Sequence, residues 1–237
     1  MKSLSSGGPA ALALIGFLVL ANVSYSYLVA SFGYDDVLRE PVQTVLSRFA
    51  AGGSGLVLAW AGFALSALVF VAAAPLVALA LQGRHNQSVW IVTAAGMASG
   101  LLQAVGLFRW VFVIPVLARD YPAADPAHRA AIEVAYTVLN QYGGVTLGEH
   151  MGQILLVVWS AGVIAACWRA GGILKWTSLI GTASLPLWAL AQTELYATVI
   201  AQTPVVEAAP VAFMLWMVWI LALGVGLAIQ KPATADA

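Results

Sequence analysis

Charged side chains are scarce in this chain. Only 8% of its 237 residues are Asp, Glu, Lys or Arg, and the formal net charge is zero. A soluble globular domain carries about 25% charged residues. The composition therefore argues against a soluble domain, and the lack of a basic excess argues against a nucleic-acid partner.

Cysteine and histidine are also nearly absent. The single cysteine, Cys167, excludes an intramolecular disulfide and a Cys-x-x-Cys redox pair. None of the three histidines has a second histidine at metal-ligand spacing, so no metal site is predicted, and His150 and Glu149 are only weak candidates for ligands. Two-histidine haem is not expected, whereas single-histidine haem stays open, and the sequence names no cofactor.

Long apolar runs are what the sequence does have. Hydrophobic residues make up 62% of the chain, and about 20 consecutive apolar residues suffice to cross a bilayer as a helix. The pattern predicts an all-α polytopic membrane protein, a single bundle over residues 1–237 with six transmembrane helices. The predicted spans are Pro9–Ser31, Ser54–Leu81, Val89–Ala118, Val145–Trp168, Leu174–Thr193 and Ala209–Ile229.

The flanking charges predict an orientation. Lys and Arg collect on the cytoplasmic side of short loops, and one orientation places Lys2, Arg84, Arg169, Lys175 and Lys231 there. That choice also leaves nearly all acidic residues outside. We therefore predict a multi-pass protein of the cell (cytoplasmic) membrane with both termini in the cytoplasm.

The first long external connection carries an amphipathic pattern. Its apolar residues recur at helical spacing, and Pro41 is compatible with the first turn of a helix. The stripe consists of Leu38, Val42, Val45, Leu46 and Phe49. We predict an external helix that lies in the headgroup plane or caps the bundle; a lid over an outward-facing pocket is the alternative.

The second long external connection predicts a similar helix. Asp125-Pro126 is a good start for a helix, and Gly143-Gly144 is a typical end. The predicted apolar stripe consists of Ala131, Ala135, Val138, Leu139 and Tyr142.

A few polar residues interrupt the apolar spans. Arg109, Glu149 and Glu194 each lie within or next to a span, with His150 beside the second, although a charge in hydrocarbon costs roughly 2.5–3.5 kcal/mol on insertion scales. Counting 1.5 Å per residue along each span places all of them near the outer surface. With Gln153 and Gln192, they form the predicted ligand-binding set.

Arg109 and Glu149 are the natural ion pair, because a guanidinium binds a carboxylate bidentately. Such a pair could also simply hold two spans together, or its members could reach the lipid headgroups. Gly148 and Gly152 form a small-xxx-small pair that lets another helix approach closely.

Three functions remain open. The preferred one is binding of a small polar molecule or lipid headgroup in an outward-facing pocket, for sensing or transport. The second is a membrane-embedded enzyme in which Glu149 and His150 perform acid–base or metal-assisted chemistry. The third is a structural membrane subunit. Membrane lipid is the expected partner, and nothing in the sequence indicates the oligomeric state.

Two strings carry a resemblance. Leu107-Phe108-Arg109-Trp110 with Val113-Ile114-Pro115, followed by a polar helix and Gly148-Glu149-His150-Met151-Gly152, resembles an uncharacterised bacterial multi-pass membrane-protein family of the domain-of-unknown-function type. The resemblance covers most of the six spans. It implies a bacterial cytoplasmic membrane and adds no activity.

Overall fold

The structure, a computed structural model, describes residues 7–34, 36–81 and 87–229. Three of the residues on which the predicted orientation rests, Lys2, Arg84 and Lys231, lie outside this part of the chain. The predicted short loop around residues 82–88 also lies mostly outside it. The orientation therefore stays a prediction.

The described residues form helices and no strand, which confirms the all-α class. A π-helix, Asn140–Met151, joins α5 to α6 and is called the π segment below. Short 3₁₀ turns cover Asp36–Arg39 and Tyr121–Ala123. The α-helices are α1 (Gly7–Phe32), α2 (Val42–Ala80), α3 (Gln87–Phe112), α4 (Ile114–Asp120), α5 (Pro126–Leu139), α6 (Gly152–Ala170), α7 (Gly172–Ala197) and α8 (Ala209–Ile229).

Several helical segments fit a bilayer by length and composition, as a polytopic membrane protein requires. Within the described residues, five qualify: Gly7–Phe32, Val42–Ala80, Ser88–Ala123, Pro126–Ala170 and Ala209–Ile229. The sixth predicted span corresponds to α7, which is long enough at 26 residues but contains many hydroxyl and amide side chains. The count of six spans stays a prediction.

The chain divides into two compact units. Unit 1 contains residues 1–18, 69–100 and 153–237, and unit 2 contains residues 19–68 and 101–152. Each unit is described by itself below. The single bundle over residues 1–237 stays a prediction.

Stacked aromatic rings form the core of unit 2. The ring of Trp110 stacks on Trp60 at 4.7 Å between centroids and on Phe49 at 5.8 Å, and Phe32 meets all three rings edge-on. Tyr136 contacts Trp110 edge-on at 6.4 Å. These five residues are called the aromatic cluster. Offset and edge-on pairs of this kind add stability beyond the buried area alone.

The first external stripe packs on this cluster. Val45, Leu46 and Phe49 are buried, while Leu38 and Val42 are partly buried against the same core. The stripe therefore caps the protein's own core, as one of the predicted interpretations requires. The backbone leaves helical geometry at Gly53, where φ is 57° and ψ is -155°, so the stripe helix and the span that follows are two helical stretches joined by a kink. A positive φ suits glycine, which has no Cβ.

The second external helix begins as predicted. The Asp125 carboxylate accepts a hydrogen bond from the backbone N–H of His128 at 2.9 Å, and Pro126 follows as the first helical residue. This confirms the predicted N-cap and N1 pair.

The predicted end of this helix is wrong, and the predicted apolar stripe is not the face that packs on the core of unit 2. Gly143 and Gly144 lie inside the π segment, so the chain stays helical from Pro126 to Ala170. The buried face of α5 carries Ile132 and Tyr136, whereas Val138 is exposed. The aromatic ring of Tyr136 joins the cluster, which turns that face of the helix inward.

Unit 1 has a second aromatic core. Trp159 meets Phe70 edge-on at 4.8 Å, and Phe70 and Phe17 both contact Trp216. Gly96 leaves room for this core, because a Cβ there would come within 2.3 Å of the Trp159 ring.

Candidate functional site: the polar centre of unit 2

Arg109 lies in the last turn of α3, at the edge of the aromatic cluster. The helix ends at Phe112, and α4 begins at Ile114 with Pro115 in its first turn. Proline has no N–H for an interior helix position but fits a first turn. A cation in the last turn of a helix is favoured by the helix dipole.

The Arg109 side chain is only 9% exposed. Its Nη1 donates to the backbone carbonyl of Gly106 one turn earlier. Its Nη2 donates to Oδ1 of Asn140, the first residue of the π segment, at 3.1 Å. The guanidinium therefore bonds to a carbonyl of its own helix and joins α3 to the π segment through the side-chain amide of Asn140.

Gly144 provides the space for the guanidinium. A Cβ at this position would come within 2.4 Å of Nη2 and 2.6 Å of Cζ of Arg109, whereas a Cβ at Gly143 would meet only Cδ at 3.9 Å. An added methyl group would therefore collide with the guanidinium at position 144 but not at position 143. Any larger residue at position 144 would displace the guanidinium.

Further along, α3 and the π segment approach each other backbone to backbone. A Cβ at Gly106 would lie 2.9 Å from Cα of Gly148 and 2.8 Å from the carbonyl oxygen of Gly143. A Cβ at Gly152 would meet Cγ of Gln103 at 2.8 Å. This confirms that Gly148 and Gly152 let another helix approach closely.

The π segment is twelve residues long, Asn140–Met151. π-Helices are rare, usually cover a single turn, and are frequent at functional sites. Thr146 fits the wider turn, since its hydroxyl donates to the carbonyl of Gln141 five residues earlier at 3.0 Å. The segment carries Asn140, Gly144 and Glu149, which with Arg109 and Gly106 are called the polar centre.

Glu149 is the principal negative charge acting on Arg109. Its carboxylate interacts favourably with the guanidinium through their opposite charges. The bidentate pairing of Arg109 with Glu149 stays a prediction. His150, next in the chain, is partly buried at the end of the π segment.

Three buried hydrogen-bond donors of unit 2 have no partner within the described part of the chain. They are Nε of Arg109, Oη of Tyr136 and Nε1 of Trp60. A buried donor without an acceptor costs about 1–3 kcal/mol, and more when it is charged. All three side chains pack around Trp110, with Cζ of Arg109 5.2 Å from its ring centroid.

The other predicted site residues belong to unit 1. Nε2 of Gln192 on α7 donates to Oε1 of Gln153 on α6 at 2.6 Å. Glu194, two residues after Gln192, has one buried carboxylate oxygen. The structure thus places Arg109, Glu149 and His150 in one unit and these three residues in the other. A single site formed by all six stays a prediction.

The described residues contain no group of three or more His, Cys, Asp or Glu side chains arranged to hold a metal ion. Within unit 2, two acceptors hold the buried cation, the Gly106 carbonyl and Oδ1 of Asn140. Nε of Arg109 and the donors of Tyr136 and Trp60, which pack on the same Trp110 ring, have no acceptor in the part of the chain that the structure describes. Such an arrangement can bind an acceptor and hold it in one orientation.

Sequence reasoning missed Asn140, Gly144 and Tyr136. Asn140 and the glycine pair carry a visible signal, but it is the same signal that ends an ordinary helix. Tyr136 lies four residues before Asn140, which is the spacing of residues on one helical face.

The family model described as a domain of unknown function, DUF4386, matches residues 10–224. The match covers most of the chain, so the protein belongs to this family, in agreement with the resemblance carried by the Arg109 and Glu149 strings. No curated protein matches the chain, and neither does any solved structure.

Proposed function

We propose that this protein is an integral membrane protein that binds a small polar molecule or a lipid headgroup at the polar centre of unit 2. The observation that supports the proposal is Arg109, a cation that is 9% exposed and whose Nε has no acceptor among the described residues. A purely structural arginine would be expected to use its full set of donors.

The surroundings of Arg109 support ligand binding over a role that only holds two helices together. Asn140 and the Gly106 carbonyl hold the guanidinium, and its Cζ lies 5.2 Å from the centroid of the Trp110 ring in the aromatic cluster. Preorganised polar groups in an apolar surrounding are typical of small-molecule sites.

The proposal includes the topology. Six spans with both termini in the cytoplasm of a bacterial cell place the polar centre near the outer surface. There it would meet headgroups or molecules from outside, and binding would serve sensing or transport.

The experiment compares Arg109→Lys with Arg119→Lys. Lysine keeps the charge but loses the planar fork, and Arg119 is a largely exposed arginine that pairs with its neighbour Asp120. Both variants are purified in a maltoside detergent and their thermal midpoints are measured against a panel. The panel contains acetate, inorganic phosphate, dihexanoyl-phosphatidylglycerol, ethanolamine and glycerol.

We expect at least one member of the panel to raise the midpoint of the wild type and of Arg119→Lys but not of Arg109→Lys. A panel without any shift in the wild type, or with equal shifts in both variants, would refute binding at the polar centre.

A further inference from the structure

The unpartnered donors of unit 2 identify the kind of group that is missing. A guanidinium Nε and an indole Nε1 can only donate, and a phenol hydroxyl can donate. The partner that would satisfy Arg109, Tyr136 and Trp60 is therefore a hydrogen-bond acceptor. Among the described residues, no acceptor forms a hydrogen bond with any of these three donors.

The Arg109 fork favours an acceptor with two oxygens. Nη1 donates to Gly106 and Nη2 donates to Asn140. Since each Nη carries two N–H groups, one N–H of Nη2 remains for the edge that it shares with Nε. That edge presents two parallel N–H groups, one from Nε and one from Nη2, and this spacing matches a carboxylate or a phosphate. Tyr136 contacts the ring of Trp110 edge-on, and the Arg109 guanidinium lies 5.2 Å from the centroid of the same ring. The hydroxyl of Tyr136, which has no partner within the described ranges, therefore belongs to the same cluster and is available as a further donor.

We propose that the polar centre binds an oxyanion, a carboxylate or a phosphate group, at the Nε edge of Arg109 with Tyr136 as a second donor. This inference rests on the proposed function and specifies its ligand class. The oxyanion belongs either to a soluble molecule or to a lipid headgroup.

Glu149 acts as the internal competitor of this oxyanion. Its carboxylate is the strongest favourable electrostatic partner of Arg109, so it compensates the cation when no ligand is bound. The negative charge of Glu149 also repels an oxyanion that approaches Arg109. Removal of this charge would leave the guanidinium uncompensated and make an oxyanion bind more tightly.

The adjacent glycines offer a matched pair for the test. Gly144→Ala places a methyl group where the guanidinium lies, whereas Gly143→Ala makes only ordinary contact with Arg109. The clash at Gly144 involves the mobile end of a long side chain, so the arginine moves and the helices stay together. Both variants add the same methyl group to the same segment.

The probes are acetate, inorganic phosphate and dihexanoyl-phosphatidylglycerol, with sodium chloride at equal ionic strength as the reference. Ethanolamine and glycerol represent cationic and neutral ligands. The readout is the concentration dependence of the thermal midpoint in maltoside detergent. We expect oxyanion probes to stabilise the wild type and Gly143→Ala, with affinity about tenfold weaker in Gly144→Ala.

Glu149→Gln supplies the opposite effect. Its midpoint without ligand falls, and its gain in midpoint with an oxyanion exceeds that of the wild type. Stabilisation by acetate and phosphate indicates a soluble ligand, while stabilisation by phosphatidylglycerol alone indicates a headgroup, and both support the inference.

Other results overturn it. If ethanolamine or glycerol stabilises the protein in an Arg109-dependent way and oxyanions do not, the proposed function is supported and the oxyanion as its ligand is refuted. If Gly144→Ala and Gly143→Ala respond alike, the Nε edge is not the site. If no probe shifts the midpoint, the proposed function falls as well.

Discussion

The two units treat buried polar groups differently. In unit 1, hydroxyls on α7 largely bond to carbonyls of their own helix, as Ser178 does with Leu174 and Ser184 does with Gly181. In unit 2, a buried cation bonds across to a π segment and keeps a donor unused. Local bonding is the usual solution for a helix in lipid. A group that departs from this solution is the better indicator of function.

A double-mutant cycle on Arg109 and Glu149 tests the largest expected effect in this comparison. Arg109→Leu removes the cation from Gly106, Asn140 and Glu149, and we expect a loss of about 3 kcal/mol in the free energy of unfolding. Glu149→Gln should lose less, because its side chain is only partly buried. The free energies are measured by denaturant titration in mixed micelles.

The double variant decides how the two residues act. If they are coupled, its loss is smaller than the sum of the two single losses by at least about 0.5 kcal/mol. Strictly additive losses would contradict a charge interaction between them. Arg119→Leu serves as the control, since its arginine is largely exposed and should change little.

Much of the fold could be predicted from sequence. Long apolar runs indicate membrane-spanning helices, and an N-cap such as Asp125 marks the start of a helix. The polar interruptions also marked Arg109 and Glu149 correctly as unusual. The predicted stripe on α5 is not its buried face, because apolar side chains of a membrane protein face lipid as well as core. Val138 and Ile132 are equally apolar, so the pattern does not say which is buried.

The π segment could not be predicted either. Asn140 and Gly143-Gly144 satisfy the rules for a helix end, and periodicity of 3.6 residues contains no information on wider turns. What keeps the chain helical is the close packing against α3 and Arg109, a tertiary effect that only the three-dimensional arrangement reveals.

A glycine series gives the next largest effect. Gly106→Ala drives a methyl group into backbone atoms of the π segment, which cannot rotate away, and we expect a loss of about 2 kcal/mol. Gly226→Ala in unit 1 meets Cδ2 of Leu174 at 2.7 Å instead. That atom is the far end of a flexible side chain and can adjust, so the loss should be smaller. Denaturant titration in micelles measures both.

Gly16→Ala is the control for the glycine series, because no heavy atom lies within 4 Å of its added methyl group. Alanine favours helix over glycine by up to about 1 kcal/mol, so this variant should be unchanged or more stable. A loss at Gly226 equal to that at Gly106 would remove the proposed difference between backbone and side-chain contacts.

The smallest predicted effect lies within unit 1 and compares two fully buried serines. The hydroxyl of Ser160 accepts a hydrogen bond from Nε1 of Trp216 at 2.9 Å, whereas the hydroxyl of Ser184 donates to the carbonyl of Gly181 in its own helix. Ser160→Ala leaves a buried indole N–H without an acceptor and should cost about 1 kcal/mol. Ser184→Ala leaves nothing unsatisfied, because the carbonyl keeps its place in the helix, and should cost less than half as much. Equal losses in the two variants would contradict a larger contribution from the bond between helices than from the bond within one helix.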